Sequence, residues 1–226
     1  MKRVITVLLA VLLALSLAAC GSGVETKKLA GTWTCTVDVT DRMNAAAEQA
    51  LGLSAVDGTA QMPLQLVLTV TEDGAYTLRY DSDAVRTALD AYAAALHPAA
   101  VESVYAAAEE QGLSREEYDA AMEKAGITMD DMVAAIFAGV DEEELLSLLT
   151  GRSAALTGYC RAESGQLYLA DTAAELAETA DCLSYTLSDG TMTWTDAQGE
   201  LSSQLTEQEQ ELLRVPLTWT KQEESK

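Results

Sequence analysis

Apolar and polar residues alternate at period two along most of this chain, and one long block of helical periodicity interrupts them. Trp33, Cys35 and Val37 share one strand phase, with Thr34, Thr36 and Asp38 in the other. Leu64, Leu66, Leu68 and Val70 repeat the pattern. The turn Thr71-Glu72-Asp73-Gly74 follows, and then Tyr76, Leu78 and Tyr80 alternate with Thr77 and Arg79. Asp-Gly between two alternating runs is a strong hairpin signal. Strand periodicity returns at Leu156–Arg161 and at Leu167–Leu169, across a turn at Ser164-Gly165. It continues in Leu183, Tyr185 and Leu187, then Met192 and Trp194 beyond Ser188-Asp189-Gly190, and ends in Val215, Leu217 and Trp219. Eight strands in sequence order, mostly joined by hairpins, predict an antiparallel sheet closed into a small barrel, which removes exposed edges and has room for one small ligand.

Between Asp83 and Thr150 the period is helical. Val85, Leu89, Tyr92 and Leu96 stand at i, i+4, i+7 and i+11, and His97-Pro98 predicts the end of that helix. A second helix is expected from Pro98 to about Gln111. Ser114-Arg115-Glu116-Glu117 reads as a capping box for a third, Thr128 caps a fourth, and Asp141–Glu144 opens a fifth with acidic residues at the favourable end of the helix dipole. Short helical segments are also expected at 172–179 and within 197–214. The fold class is therefore α+β, with a multi-helix insertion after the third strand.

The N-terminal segment has a different logic. Lys2-Arg3 precede an apolar run from Val4 to Leu15, which gives way to small residues and Cys20. That order is the one found in secretory signal peptides, and the apolar run is shorter than the roughly 20 residues a membrane span needs. Leu17-Ala18-Ala19-Cys20 resembles the lipobox of bacterial lipoproteins. The resemblance implies cleavage before Cys20 and lipidation of its thiol. It also implies an extracytoplasmic protein held on the outer face of the cell membrane, or on the outer membrane where the cell has two. The expected organisation is a signal peptide at 1–19, a lipid-anchored tether at 20–30, a first barrel segment at 31–81, a helical insertion at 82–150, and a second barrel segment with its tail at 151–226. Fully stretched, ten tether residues reach about 35 Å.

The formal net charge is −22, and loss of Lys2 and Arg3 with the peptide makes it −24. So acidic a surface repels nucleic acid, which is excluded as a partner. With Cys20 lipidated, three of the four cysteines remain: Cys35, Cys160 and Cys182. An odd number allows at most one intramolecular bridge. Cys160 with Cys182 is the pairing that sequence proximity favours, and three buried thiols are the alternative.

Leu29-Ala30-Gly31-Thr32-Trp33 resembles the Gly-x-Trp opening of lipocalin-like domains. In that family the tryptophan closes the barrel base beside a basic residue at the end of the last strand, a place that Lys221 matches here. The helix expected around Met43, Ala47, Ala50 and Leu51 has an analogue in the related fatty-acid-binding barrels. The implied fold is an eight-stranded lipocalin-like barrel. The implied activity is binding, without catalysis, of a small apolar ligand or an envelope component. Tyr76, Tyr80, Tyr185, Met192, Trp194 and Trp219 share the inward phase and are the candidate ligand contacts, with plain core packing as the competing role. An alternative function is a structural or protein-interaction module of the cell envelope, docking through its helices.

No nucleophile elbow, H-E-x-x-H pair, phosphate-binding loop or C-x-x-C is present. No catalytic residue, metal site or cofactor is expected. The single histidine, His97, reads as a helix C-terminal residue. The acidic clusters at Asp81–Asp83, Asp130-Asp131 and Asp141–Glu144 lack calcium-loop spacing and read as helix caps.

Overall fold

The computed structural model describes residues 24–51, 60–137, 147, 155–178, 182–198, 213 and 215–223. Cys20 and the expected signal peptide, the acidic helix start at Asp141–Glu144 and most of the segment 197–214, where a short helix is expected, lie outside the described residues; 197 and 198 belong to a strand. Eight antiparallel strands close in sequence order into one barrel. They are β1 (Gly31–Asp38), β2 (Pro63–Val70), β3 (Ala75–Tyr80), β4 (Leu156–Glu163), β5 (Gln166–Ala170), β6 (Cys182–Ser188), β7 (Thr191–Gln198) and β8 (Leu217–Lys221). The helices are α1 (residues 24–29), α2 (Thr40–Leu51), α3 (Ser82–Glu110), α4 (Arg115–Ala125) and α5 (Met129–Phe137), with a single helical turn at Ala173–Leu176 between β5 and β6. No helix among the described residues is long and apolar enough to cross a membrane.

The connections alternate in length. Tight turns join β2 to β3, β4 to β5 and β6 to β7, so all three lie at one end, which also holds the start of β1 and the finish of β8. This end is the base. Every long connection leaves from the opposite strand ends. The chain divides into two compact units. The first holds the base and most of the barrel. The second takes residues 81–153 and also 36–65, so the expected first barrel segment is itself divided. Register shows why the barrel unit holds: residues directly opposite on neighbouring strands face the same side, and the inward row is apolar apart from Lys221 at the end of β8. Leu68 faces Leu78, Val70 faces Tyr76, Leu167 faces Leu183, Met192 faces Trp219 and Trp194 faces Leu217. One bulge in β7 leaves Thr195 without a partner on β6, and its hydroxyl donates to the Ser184 carbonyl at 3.3 Å.

Glycine is required at two places by close approach. At Gly158, opposite Tyr76, a Cβ would stand 2.5 Å from the Ala170 carbonyl oxygen and 2.9 Å from the Tyr76 ring, so the bare backbone is what lets that ring lie across β4. At Gly74, with φ +87°, a Cβ would meet the Cys160 carbonyl oxygen at 2.4 Å, and the Gly74 carbonyl instead accepts from the Cys160 amide at 2.7 Å.

In the second unit the helix starts match their sequence signals. Asp81 caps α3 by accepting from the Ala84 amide, and Ser114 with Glu117 forms the reciprocal capping box of α4. Thr128 and Asp131 exchange hydrogen bonds at the start of α5. Arg115 binds Glu102 through both terminal nitrogens, at 3.0 and 2.8 Å, and Glu109 at 3.2 Å, tying α4 to α3. The break expected at His97-Pro98 does not occur: α3 runs through Pro98 for 29 residues. Proline removes the hydrogen bond to the Ala94 carbonyl, but Pro98 and Ala94 are both exposed, on the side of the helix that faces solvent. His97 is accordingly mid-helix, with Nε2 3.1 Å from Asp130 Oδ1 of α5, and not at a helix C-terminus.

Two stability measurements follow. Gly158→Ala should lower the free energy of unfolding of the barrel unit by about 1–3 kcal/mol, as overpacking does, read as a shifted urea midpoint at unchanged slope. Pro98→Ala restores the missing donor and should stabilise the helical unit by up to about 3 kcal/mol, read from the thermal loss of helical circular dichroism.

Candidate functional site

The barrel interior is built in layers from the base. Trp33 (1% exposed), Met192 and Trp219 (both 0%) form the lowest layer and leave no adjoining space that a water molecule would reach. Beneath them lies α1. Thr26 is buried and its hydroxyl accepts from the Ala162 amide of β4 at 3.0 Å. Leu29 is buried and its carbonyl accepts from Trp33 Nε1 at 2.7 Å. The Lys221 ammonium stands 5.2 Å from the centre of the Trp33 ring, within cation–π range. Residues expected to belong to a polar tether thus close the barrel. The overlooked signal was Leu29, an apolar residue set four before Trp33.

The candidate ligand contacts divide into two groups. Met192 pairs with Trp219, Tyr185 pairs with Trp194, and the Trp194 and Trp219 rings lie 4.8 Å apart at 47°. These four, with Tyr76 further round the barrel, are buried. The indole N–H groups of Trp194 and Trp219 have no acceptor among the described residues, at a cost of about 1–3 kcal/mol for each such donor. Burial pushes the Tyr185 phenol up, with smaller contributions from Glu25 and Cys160. Tyr80 stands apart. It lies at the far end of β3, opposite Leu66, and is only half-buried.

Tyr80 has companions of the same phase. Leu78 of β3 faces Leu156 of β4, and Leu169 of β5 faces Cys160 of β4; Leu78, Leu156 and Leu169 are half-buried although they share the inward row. Three adjacent strands therefore carry a strip of partly accessible apolar side chains on the interior face. Leu78, Leu156 and Leu169 were visible in the sequence alternation, whereas the role of Gly158 was not.

The cysteines contribute no bridge. Cys35, Cys160 and Cys182 are all buried free thiols. The expected Cys160–Cys182 pairing fails on geometry. Cys160 lies in the inward row, whereas Cys182 faces Tyr168 in the outward row and sits two strands away. Two strand spacings are about 9.6 Å, beyond the roughly 7 Å Cα limit of a disulfide. Cys182 instead donates to the Gln166 side-chain carbonyl at 3.2 Å. Burial raises the Cys160 thiol to about 12, and burial, partly opposed by a backbone hydrogen bond at Thr218, raises Cys35 to about 11.

Among the described residues no group of three or more histidine, cysteine or carboxylate side chains is gathered for a metal ion. No protein-family model matches the sequence, and no curated protein or solved structure is significantly similar to it.

The raised thiol values give a pH dependence with a definite sign. Below the unfolded value of 9.0 the thiols are neutral in both states. Between 9.0 and about 12 the unfolded chain loses the Cys160 proton while the folded one keeps it, so stability falls as pH rises. Cys160→Ala should flatten that fall in urea titrations run across the alkaline range. A slope unchanged by the substitution would show that other groups cause it.

Proposed function

We propose that this chain is a lipid-anchored extracytoplasmic lipoprotein, bound to the outer face of a bacterial membrane through Cys20. Its lipocalin-like barrel is a non-catalytic binding module for a small apolar ligand or an envelope component. The address rests on the Lys2-Arg3, Val4–Leu15 and Leu17–Cys20 pattern. The lipocalin-like reading draws support from Gly31-x-Trp33 at the start of the first strand, with Lys221 stacked over the tryptophan from the last. The helices between β3 and β4 are then an insertion into that family's pattern.

The observation that carries the ligand reading is the strip Leu78, Tyr80, Leu156 and Leu169. These four apolar side chains share the inward phase and are half-buried, whereas Met192 and Trp219 at the base are fully buried, so an apolar ligand would meet them first. The base layer of Trp33, Met192 and Trp219 is fully buried, so a ligand would engage the strip and not the base. A second reading, docking of another envelope protein through the helices, is favoured by Leu113 (39% exposed) and Ile127 (42%), which stand at the two turns flanking α4.

The test is titration with an anilinonaphthalene dye, followed by displacement with uncharged long-chain alcohols. Saturable binding that Leu156→Arg abolishes, at an unchanged unfolding midpoint, is expected. Absence of saturable binding would overturn the ligand reading in favour of the docking module.

A further inference from the structure

From the way α1 is packed, we propose that the barrel stands base-down on the bilayer, with the outer face of α1 in contact with anionic headgroups. The inference rests on the lipid-anchor reading and goes beyond it, since an anchor alone sets no orientation. Two independent observations carry it.

The first is reach. A tether of 20–30 would let the body turn freely at about 35 Å. Residues 24–29 are instead helical and fixed to the barrel by the Thr26 hydroxyl on Ala162 and by the Leu29 carbonyl on Trp33. Only Gly21, Ser22 and Gly23 separate Cys20 from Val24, so the lipidated residue lies within about 14 Å of α1. A lipid inserted at that distance brings the base to the headgroups.

The second is the composition of the face that would arrive there. In α1 the exposed residues are Val24, Lys27 and Lys28, at i, i+3 and i+4, which is one side of a helix, while Thr26 and Leu29 fill the other. Val24 is 56% exposed, the most exposed large apolar residue among those described. An apolar residue beside two lysines is the pattern of an interfacial helix. In a chain of net charge −22 these two adjacent cations stand out. Exposed Leu187, beside the β6–β7 turn, adds a second apolar contact at the same end. The same end also carries acidic groups: Glu25 within α1, Glu72, Asp73 and Asp189 on the turns, Glu223 after β8, and Glu163, which is paired with Arg161 at 2.7 Å. Lys27, Lys28 and Lys221 are the other cations there among the described residues, so contact is confined to the α1 side of the base.

The experiment uses the mature lipidated protein reconstituted into vesicles of phosphatidylcholine with a minor fraction of phosphatidylglycerol. A water-soluble amine-acylating reagent reports the accessibility of Lys27 and Lys28 by peptide mass spectrometry. The reference is the same mature chain from residue 20 onward with Cys20→Ser, which carries neither lipid nor signal segment, mixed with the same vesicles. Acylation of both lysines should fall about fivefold in the anchored protein, the factor expected for a lysine drawn to an anionic surface. Equal acylation in the two samples, with the lipid mass present on Cys20, overturns the base-down orientation and leaves the anchor standing. Absence of any lipid mass on Cys20 in protein recovered from membranes overturns the anchor reading itself. Lys27→Glu with Lys28→Glu gives a second readout. With Val24→Lys as the reporter, the lipidated triple variant should be acylated at position 24 more than the lipidated Val24→Lys single variant, and equal protection of the two would show that the lysines do not hold the base to the surface.

Discussion

Closure of β8 onto β1 is the constraint on which the rest of the barrel depends. The seam is short: Trp33 faces Lys221 and Thr34 faces Thr220. The Lys221 amide donates to Gly190 and the Gln222 amide to Thr32, both at 2.8 Å, so the last strand is stitched to the neighbouring turn and to the first strand. The Gln222 side chain adds a bond to the Thr34 hydroxyl at 2.7 Å. Over the seam lies the Lys221 ammonium, and behind it the Trp33 ring. Left open, the seam would expose two strand edges and uncover the Met192–Trp219 layer to water. A five-residue strand suffices because the heaviest side chains of the core meet where it pairs.

Much of this was legible in the sequence because strand and hairpin signals are local. The Asp73-Gly74, Ser164-Gly165 and Asp189-Gly190 turns punctuate runs whose inward phase is apolar, and register follows from phase. The seam was legible only through the distant pair Trp33 and Lys221. What stayed hidden depends on contacts across the chain. Helix α1 is polar in composition and reads as a tether, and the residues that bury it, Ala162 and Trp33, belong to β4 and β1. The inequality between Cys160 and Cys182 depends on which face each strand turns inward, which proximity along the chain does not report.

The helical unit shows the same division between local and non-local information. Its caps at Asp81, Ser114 and Thr128 are short-range devices and were readable residue by residue. Its one misread junction, His97-Pro98, turns on exposure. A proline on the solvent side of a long alanine-rich helix costs a single hydrogen bond, whereas the same proline facing inward would have ended the helix. Of the candidate site, the aromatic residues were found but their accessibility was not. Phase identifies what points inward, and only packing separates the sealed base from the half-buried strip at Leu78, Tyr80, Leu156 and Leu169.

The junction between α1 and the barrel has a mechanical consequence. A pull on the N-terminal end of the chain reaches α1 before it reaches any strand. The first bonds to carry the load are those of Thr26 with Ala162 and of Leu29 with Trp33. The β1–β8 seam lies beyond them and is loaded only once the helix has come away. Under tension from that end, α1 is therefore the first element loaded and the sheet is loaded after it.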